Sequence, residues 1–111
     1  MTEVATNTFR LIGSGDAIPN HFVMPYYLDD RKQRISIARV DGRLYAFDDL
    51  CTCASPACPL SGGVLVGTTL MCQCHGSRFD VTTGRVINGP ARESLNVYEV
   101  REVGGDIHLY A

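Results

Sequence analysis

The chain contains no run of lysine or arginine, and its formal net charge over 111 residues is only -2. It therefore lacks the electrostatic footprint expected of a partner for nucleic acid or an anionic membrane. No segment approaches membrane-spanning length, and residues 1–7 (Met-Thr-Glu-Val-Ala-Thr-Asn) lack the basic start and apolar stretch of a signal peptide. The expectation is a cytoplasmic protein without nucleic-acid or membrane partners. There is no internal repeat or low-complexity segment, and nowhere do apolar residues recur at i, i+3, i+4 and i+7, so little helix is expected. At this length a single domain over 1–111 is expected, with no room for a separate catalytic domain. Apolar residues make up 45% of the chain and charged residues 20%, which places it in the globular range rather than the disordered one.

What is present reads as β structure. Arg34-Ile35-Ser36-Ile37-Ala38-Arg39-Val40 alternates with period two, Asp41-Gly42 is a two-residue turn signal, and Leu44-Tyr45-Ala46-Phe47 resumes the alternation. Leu95 to Val100 and Ile107 to Tyr110 form a second alternating pair around Gly104-Gly105. A β-rich stretch from Phe22 to Leu28 contains Pro25 and suits a sheet edge. Between the hairpins, glycines and prolines punctuate short pieces such as Val64-Leu65-Val66 and Leu70-Met71. The predicted organisation is an all-β base from 1–50 and 91–111, carrying a loop-rich insertion at 51–90. The insertion has few large apolar residues, so a metal, a disulfide or both are expected to hold it together.

All five cysteines lie in that insertion, between Cys51 and Cys74. In a chain read as intracellular, such clustering favours metal or redox chemistry over a disulfide framework. Cys51-Thr52-Cys53 and Cys72-Gln73-Cys74-His75-Gly76 form two short hooks, and two hooks brought together by loops are how a chain builds a four-ligand metal site. Thiolate and imidazole suit zinc or iron-sulfur almost equally by softness alone.

The surrounding residues discriminate. Asp49-Leu50-Cys51-Thr52, Pro59-Leu60-Ser61-Gly62-Gly63, Cys72-x-x-His75-Gly76-Ser77-x-Phe79-Asp80, Thr83-Gly84 and Gly89-Pro90-Ala91 together closely resemble the Rieske ferredoxin family. The resemblance extends over nearly the whole chain. It implies three small antiparallel sheets, a cluster-binding subdomain inserted in a β base, and one 2Fe-2S cluster at the tip of two loops. It also implies a one-electron carrier, not itself an enzyme, passing electrons from a flavin-dependent ferredoxin reductase to a terminal oxygenase.

In that family the first hook is Cys-x-His and the second Cys-x-x-His. Here Cys53 stands where the family has histidine. The expected ligand set is Cys51, Cys53, Cys72 and His75, resembling the NEET-type proteins in ligand type. The alternatives are a labile cluster completed by Cys74 or water, and zinc or a single iron in the same pocket. At the level of function, the corresponding alternatives are a cluster-transfer or redox-sensing protein and a structural zinc module. By the same resemblance, Cys58 and Cys74 match cysteines that form a loop-tying disulfide in cytochrome bc Rieske domains. Ser77 matches a serine that donates to the cluster, Phe79 stands where those domains have tyrosine, and Leu60 and Pro90 match residues that cap the cluster. His21 and His108 fall in the base and are expected to be strand or surface residues. Asp16, Asp29, Asp30, Asp48 and Asp49 are expected on a solvated face, with an acidic docking surface as the alternative.

Overall fold

A computed structural model describes residues 9–50, 52, 59–74 and 76–110. Ten strands are found among them: β1 (Phe9–Ser14), β2 (Val23–Leu28), β3 (Gln33–Val40), β4 (Arg43–Asp48), β5 (Val64–Val66), β6 (Thr69–Met71), β7 (Arg78–Asp80), β8 (Val86–Asn88), β9 (Val97–Val103) and β10 (Asp106–Tyr110). The helical segments described are two single 3-10 turns, Gly15–Ala17 and Leu60–Gly62.

Every strand pairing is antiparallel. The β3–β4 hairpin closes through Asp41 and Gly42 with φ of 52° and 83°, and β9–β10 closes through Gly104 and Gly105 with φ of 58° and 84°. Both central residues are left-handed, as the tight turn that matches strand twist requires. Pro25 lies in β2, which is indeed an edge of its sheet.

Of the three expected sheets, two are joined. β9 pairs with β10 along its length and with β4 at Ala46↔Tyr98 and Phe47↔Val97. The result is a six-stranded sheet in the order β1-β10-β9-β4-β3-β2. The third remains separate, as β5-β6-β7-β8.

Period-two alternation gives β3 two apolar faces. Ile35 and Ile37 join Ile18, Leu28, Ala46, Ile107 and Leu109 in a core belonging to the large sheet. Ala38 and Val40 face the other way, with Phe47, onto Leu60, Leu70, Cys72, Phe79, Val81, Ala91 and Leu95. Packing against the base therefore adds to whatever a metal or a disulfide contributes to the insertion's cohesion. The insertion contributes few large side chains, but it buries them against an apolar face supplied by the base. Fully burying one such side chain is worth about 1.5–3 kcal/mol.

Candidate iron-sulfur centre

Cys72 follows directly on β6 and is fully buried within the shared core. Its N–H donates to the Ser77 carbonyl at 2.7 Å, and its own carbonyl accepts from the Gly76 N–H at 2.9 Å. Gly76 takes φ +78°, a region closed to most side chains, which lets the chain reverse between β6 and β7. The second hook is thus a tight turn sprung between two paired strands, with Met71 opposite Arg78 at its base.

The first loop is pinned at both ends. Leu50 and Pro59 form an isolated bridge across it, and Leu60 N–H donates to the Asp49 carbonyl at 2.5 Å. Leu60 itself is fully buried in the core that holds Cys72. Within the loop, Thr52 Oγ1 donates to the Glu93 carbonyl at 2.6 Å.

A third segment joins the two loops. The Ala91 N–H donates to Ser77 Oγ at 2.9 Å, so residues 91–93 are tied to the second hook through Ala91 and to the first through Glu93. Ser77 is fully buried, and its hydroxyl proton has no acceptor among the described residues. It remains available to an acceptor in the cluster position. Pro90 is exposed and Phe79 is fully buried in the core.

The acidic residues divide. Asp49 is fully buried, its Oδ1 accepting from Ser36 Oγ at 2.5 Å and from the Ser61 N–H at 2.8 Å. Its Oδ2 faces the Arg34 guanidinium as an ion pair without hydrogen-bond geometry. Asp48 accepts from Tyr98 Oη at 2.5 Å, Gln33 Nε2 at 2.8 Å and Asn96 Nδ2 at 3.0 Å. Burial, reinforced by that bond to Asp48, pushes the Tyr98 phenol up to about 12. Asp30 pairs with Arg10 at 2.6 Å, and the bond from Arg10 holds its carboxyl below the usual range. Asp48 and Asp49 therefore do not belong to the solvated face expected from the sequence. They are spent on internal bonds just before the first hook.

His21 and His108 both lie on the base, His21 exposed and His108 on β10 opposite Leu11 and Arg101. The remaining expected ligands, Cys51, Cys53 and His75, and also Cys58, lie outside the described residues. What is described fits an iron-sulfur centre: a buried thiol on a rigid turn, a buried hydroxyl with an unspent proton beside it, and a first loop clamped at its base. Among the described residues, no helix is long and apolar enough to cross a membrane.

A site of this construction is that of a small iron-sulfur electron carrier. Residues 12–99 match the Rieske [2Fe-2S] domain, and the chain belongs to that family. It is 37% identical over 100 residues to the biphenyl dioxygenase ferredoxin subunit of Pseudomonas sp. (strain KKS102), a match covering 90% of this chain and 89% of that one. It is 36% identical over 72 residues to the ferredoxin component of the naphthalene 1,2-dioxygenase system of Pseudomonas aeruginosa, covering 65% and 67%. A third match, to the same component from Pseudomonas putida, is 35% identical and spans 64% of that relative.

Among solved structures, the Sphingomonas yanoikuyae B1 ferredoxin superposes with a TM-score of 0.84 over 94% of this chain and 99% of that one, at 22% identity. The ferredoxin of carbazole 1,9a-dioxygenase from Nocardioides aromaticivorans IC177 gives a TM-score of 0.82 at 23% identity, over 92% and 96%. The protein is a Rieske ferredoxin of the kind found in oxygenase systems: an electron carrier rather than an enzyme, with one 2Fe-2S cluster as its cofactor.

Proposed function

We propose that this chain, as a single Rieske domain over 1–111 with its cluster insertion at 51–90, receives single electrons from a flavin-dependent ferredoxin reductase in the cytoplasm. It delivers them to a terminal oxygenase. The observation that carries the reading is the 37% identity to a biphenyl dioxygenase ferredoxin subunit, sustained over nine tenths of both chains. A related fold, at 24% identity, has been solved in complex with the oxygenase of carbazole 1,9a-dioxygenase, and this supports a terminal oxygenase as the acceptor.

Cys51, Cys53, Cys72 and His75 are the ligands in this proposal. When bound, the cluster supplies a one-electron couple, while the protein supplies the buried seat at Cys72, the Ser77 hydroxyl and the clamp on the first loop. Cys74 is disulfide-bonded, and in this proposal its partner is Cys58, the bridge tying the two loops.

The test is iron, sulfide and zinc analysis of the purified protein with electron paramagnetic resonance of its reduced form. It is followed by reduction with a ferredoxin reductase and reoxidation by an aromatic-ring dioxygenase. Two irons and two sulfides per chain with turnover in both half-reactions are expected. Zinc without sulfide would overturn the proposal, and cluster transfer to an apo-acceptor in place of oxygenase turnover would replace it.

A further inference from the structure

Asp49 is a costly residue where it stands. Its side chain is completely buried, whereas that of Arg34 is 45% exposed. Ionised groups are buried only at considerable expense, and well-packed apolar side chains often hold a structure as firmly as a buried ion pair does. The clamp on the first loop also has a backbone component independent of the charge: Leu60 N–H to the Asp49 carbonyl, Asp49 N–H to the Arg34 carbonyl at 3.2 Å, and the Leu50–Pro59 bridge. The carboxylate adds one bond to that clamp, from the Ser61 N–H to Oδ1, and with it a charge that the backbone bonds do not require.

What it brings is a fixed charge two residues from Cys51. The two members of the pair are not equivalent in their reach. Asp49 acts through the protein interior, where the effective dielectric is low, while the exposed side of Arg34 is screened by water and salt. Seen from the buried side, the pair does not cancel and leaves a net negative potential. Ser36 Oγ and the Ser61 N–H hold the carboxylate in place on that side.

We propose that the Asp49 carboxylate, seated beneath the first cluster loop by Arg34, Ser36 and Ser61, is a fixed charge that lowers the reduction potential of the bound cluster, with Arg34 as its partial screen. The inference rests on the cluster reading above. In the couple concerned, one electron from a donor protein or an electrode takes one ferric iron to ferrous, and no bond is made or broken. A nearby negative charge disfavours that gain.

The test is protein-film voltammetry of the cluster-loaded protein at one neutral pH, with iron and sulfide measured for every variant. Asp49→Asn is expected to raise the potential and Arg34→Gln to lower it, the first shift being the larger. Ser36→Ala, which removes a hydrogen bond but no charge, is expected to move it less than Asp49→Asn. Loosening of the loop alone gives no reason for the two members of the pair to act in opposite directions. Shifts of the same sign, or no shift in variants of full cluster content, would overturn the proposal. Should Asp49→Asn fail to load, Arg34→Gln at the surface still decides, because an unchanged or raised potential overturns it. A parent protein without iron and sulfide would instead remove the electron-carrier reading itself.

Discussion

Replacing Ser77 by alanine removes one oxygen that serves two purposes. The first is structural. Ser77 Oγ accepts the N–H of Ala91 at 2.9 Å, and both residues are buried, Ala91 to 4% exposure. Without that oxygen the amide loses its acceptor inside the core, at a cost of about 1–3 kcal/mol. For a domain near 100 residues each kcal/mol is worth about 4–8 °C in Tm. The bond from Cys72 N–H goes to the Ser77 carbonyl and survives the change, so the hook should keep its shape. The second purpose is redox. The hydroxyl proton has no acceptor among the described residues, so with a cluster bound it is available to a cluster sulfur. A hydrogen bond to a charged acceptor contributes about 1.5–3 kcal/mol, which for one electron is about 65–130 mV. Because such a bond favours the more negative, reduced state, Ser77→Ala should lower the potential by that order. Thermal unfolding followed by circular dichroism reads the first effect and voltammetry the second. A variant with the parent's Tm and the parent's potential would show that Ser77 only fills space.

Four further outcomes are expected. With Cys53 as a thiolate ligand in place of imidazole, a unit charge about 4 Å away at an effective dielectric of about 20 is worth roughly 4 kcal/mol, on the order of 0.2 V. The parent should then lie below about -150 mV, between ordinary Rieske centres and plant-type ferredoxins, and Cys53→His should raise the potential and change the colour while keeping the fold; a parent potential well above zero would remove Cys53 from the ligand set. Replacing Cys58 and Cys74 together by serine should speed cluster loss in mild denaturant, read as bleaching of visible absorbance, and an unchanged rate would dismiss the bridge. Tyr98, with its folded pKa raised to about 12 from 10.0, contributes stability that is complete below the unfolded value and is lost as pH rises through the folded one. Urea unfolding at alkaline pH should show a smaller loss in Tyr98→Phe than in the parent, the remainder including that of Tyr26, whose phenol is also raised by burial. In Gly63→Ala the new Cβ would run into the Met71 carbonyl oxygen and come within 3.1 Å of the Leu60 oxygen, both backbone, so a loss of about 1–3 kcal/mol is expected in urea titration.

The elements legible in the sequence were those whose alternation ran unbroken between strong turns: β3 with β4, β9 with β10, and the proline-bearing edge β2. β1 was not read, because a register shift between Leu11 and Gly13 interrupts its pattern against β10. β7 and β8, of three residues each, are too short to show a period. Their places follow from pairing outward from β6, which is tertiary information. In the site, the two hooks were plain from cysteine spacing, and burial of Cys72 suits its part. The bonds from Thr52 to Glu93 and from Ala91 to Ser77 had no local signature, since their partners are 41 and 14 residues apart. Nor had the packing of the insertion onto the Ala38, Val40 and Phe47 face of the base, which joins residues far apart in the chain.

Asp49 is the instructive miss, because its burial was available in the pattern. Tyr45 and Phe47 point into the core shared with the insertion, and the same alternation, carried one step past the end of β4, points Asp49 inward as well. Composition argued the other way, since an aspartate between Asp48 and the first cysteine reads as loop and solvent. Periodicity was the better guide here, for a structural reason. The bridge from Leu50 to Pro59 prolongs the extended chain beyond the last strand pairing, and the side chains continue to alternate with it. An acid at an inward position needs partners, and they come from two sides: Ser36 and Arg34 on the neighbouring strand, and Ser61 beyond the loop. Extended chain, alternation and the two sets of partners thus converge on one carboxylate at the root of the first cluster loop. A leucine at the same inward position would continue the core but leave the buried Ser36 hydroxyl and the Ser61 N–H without the acceptor that Asp49 Oδ1 gives them, so the aspartate and its partners are one interdependent group.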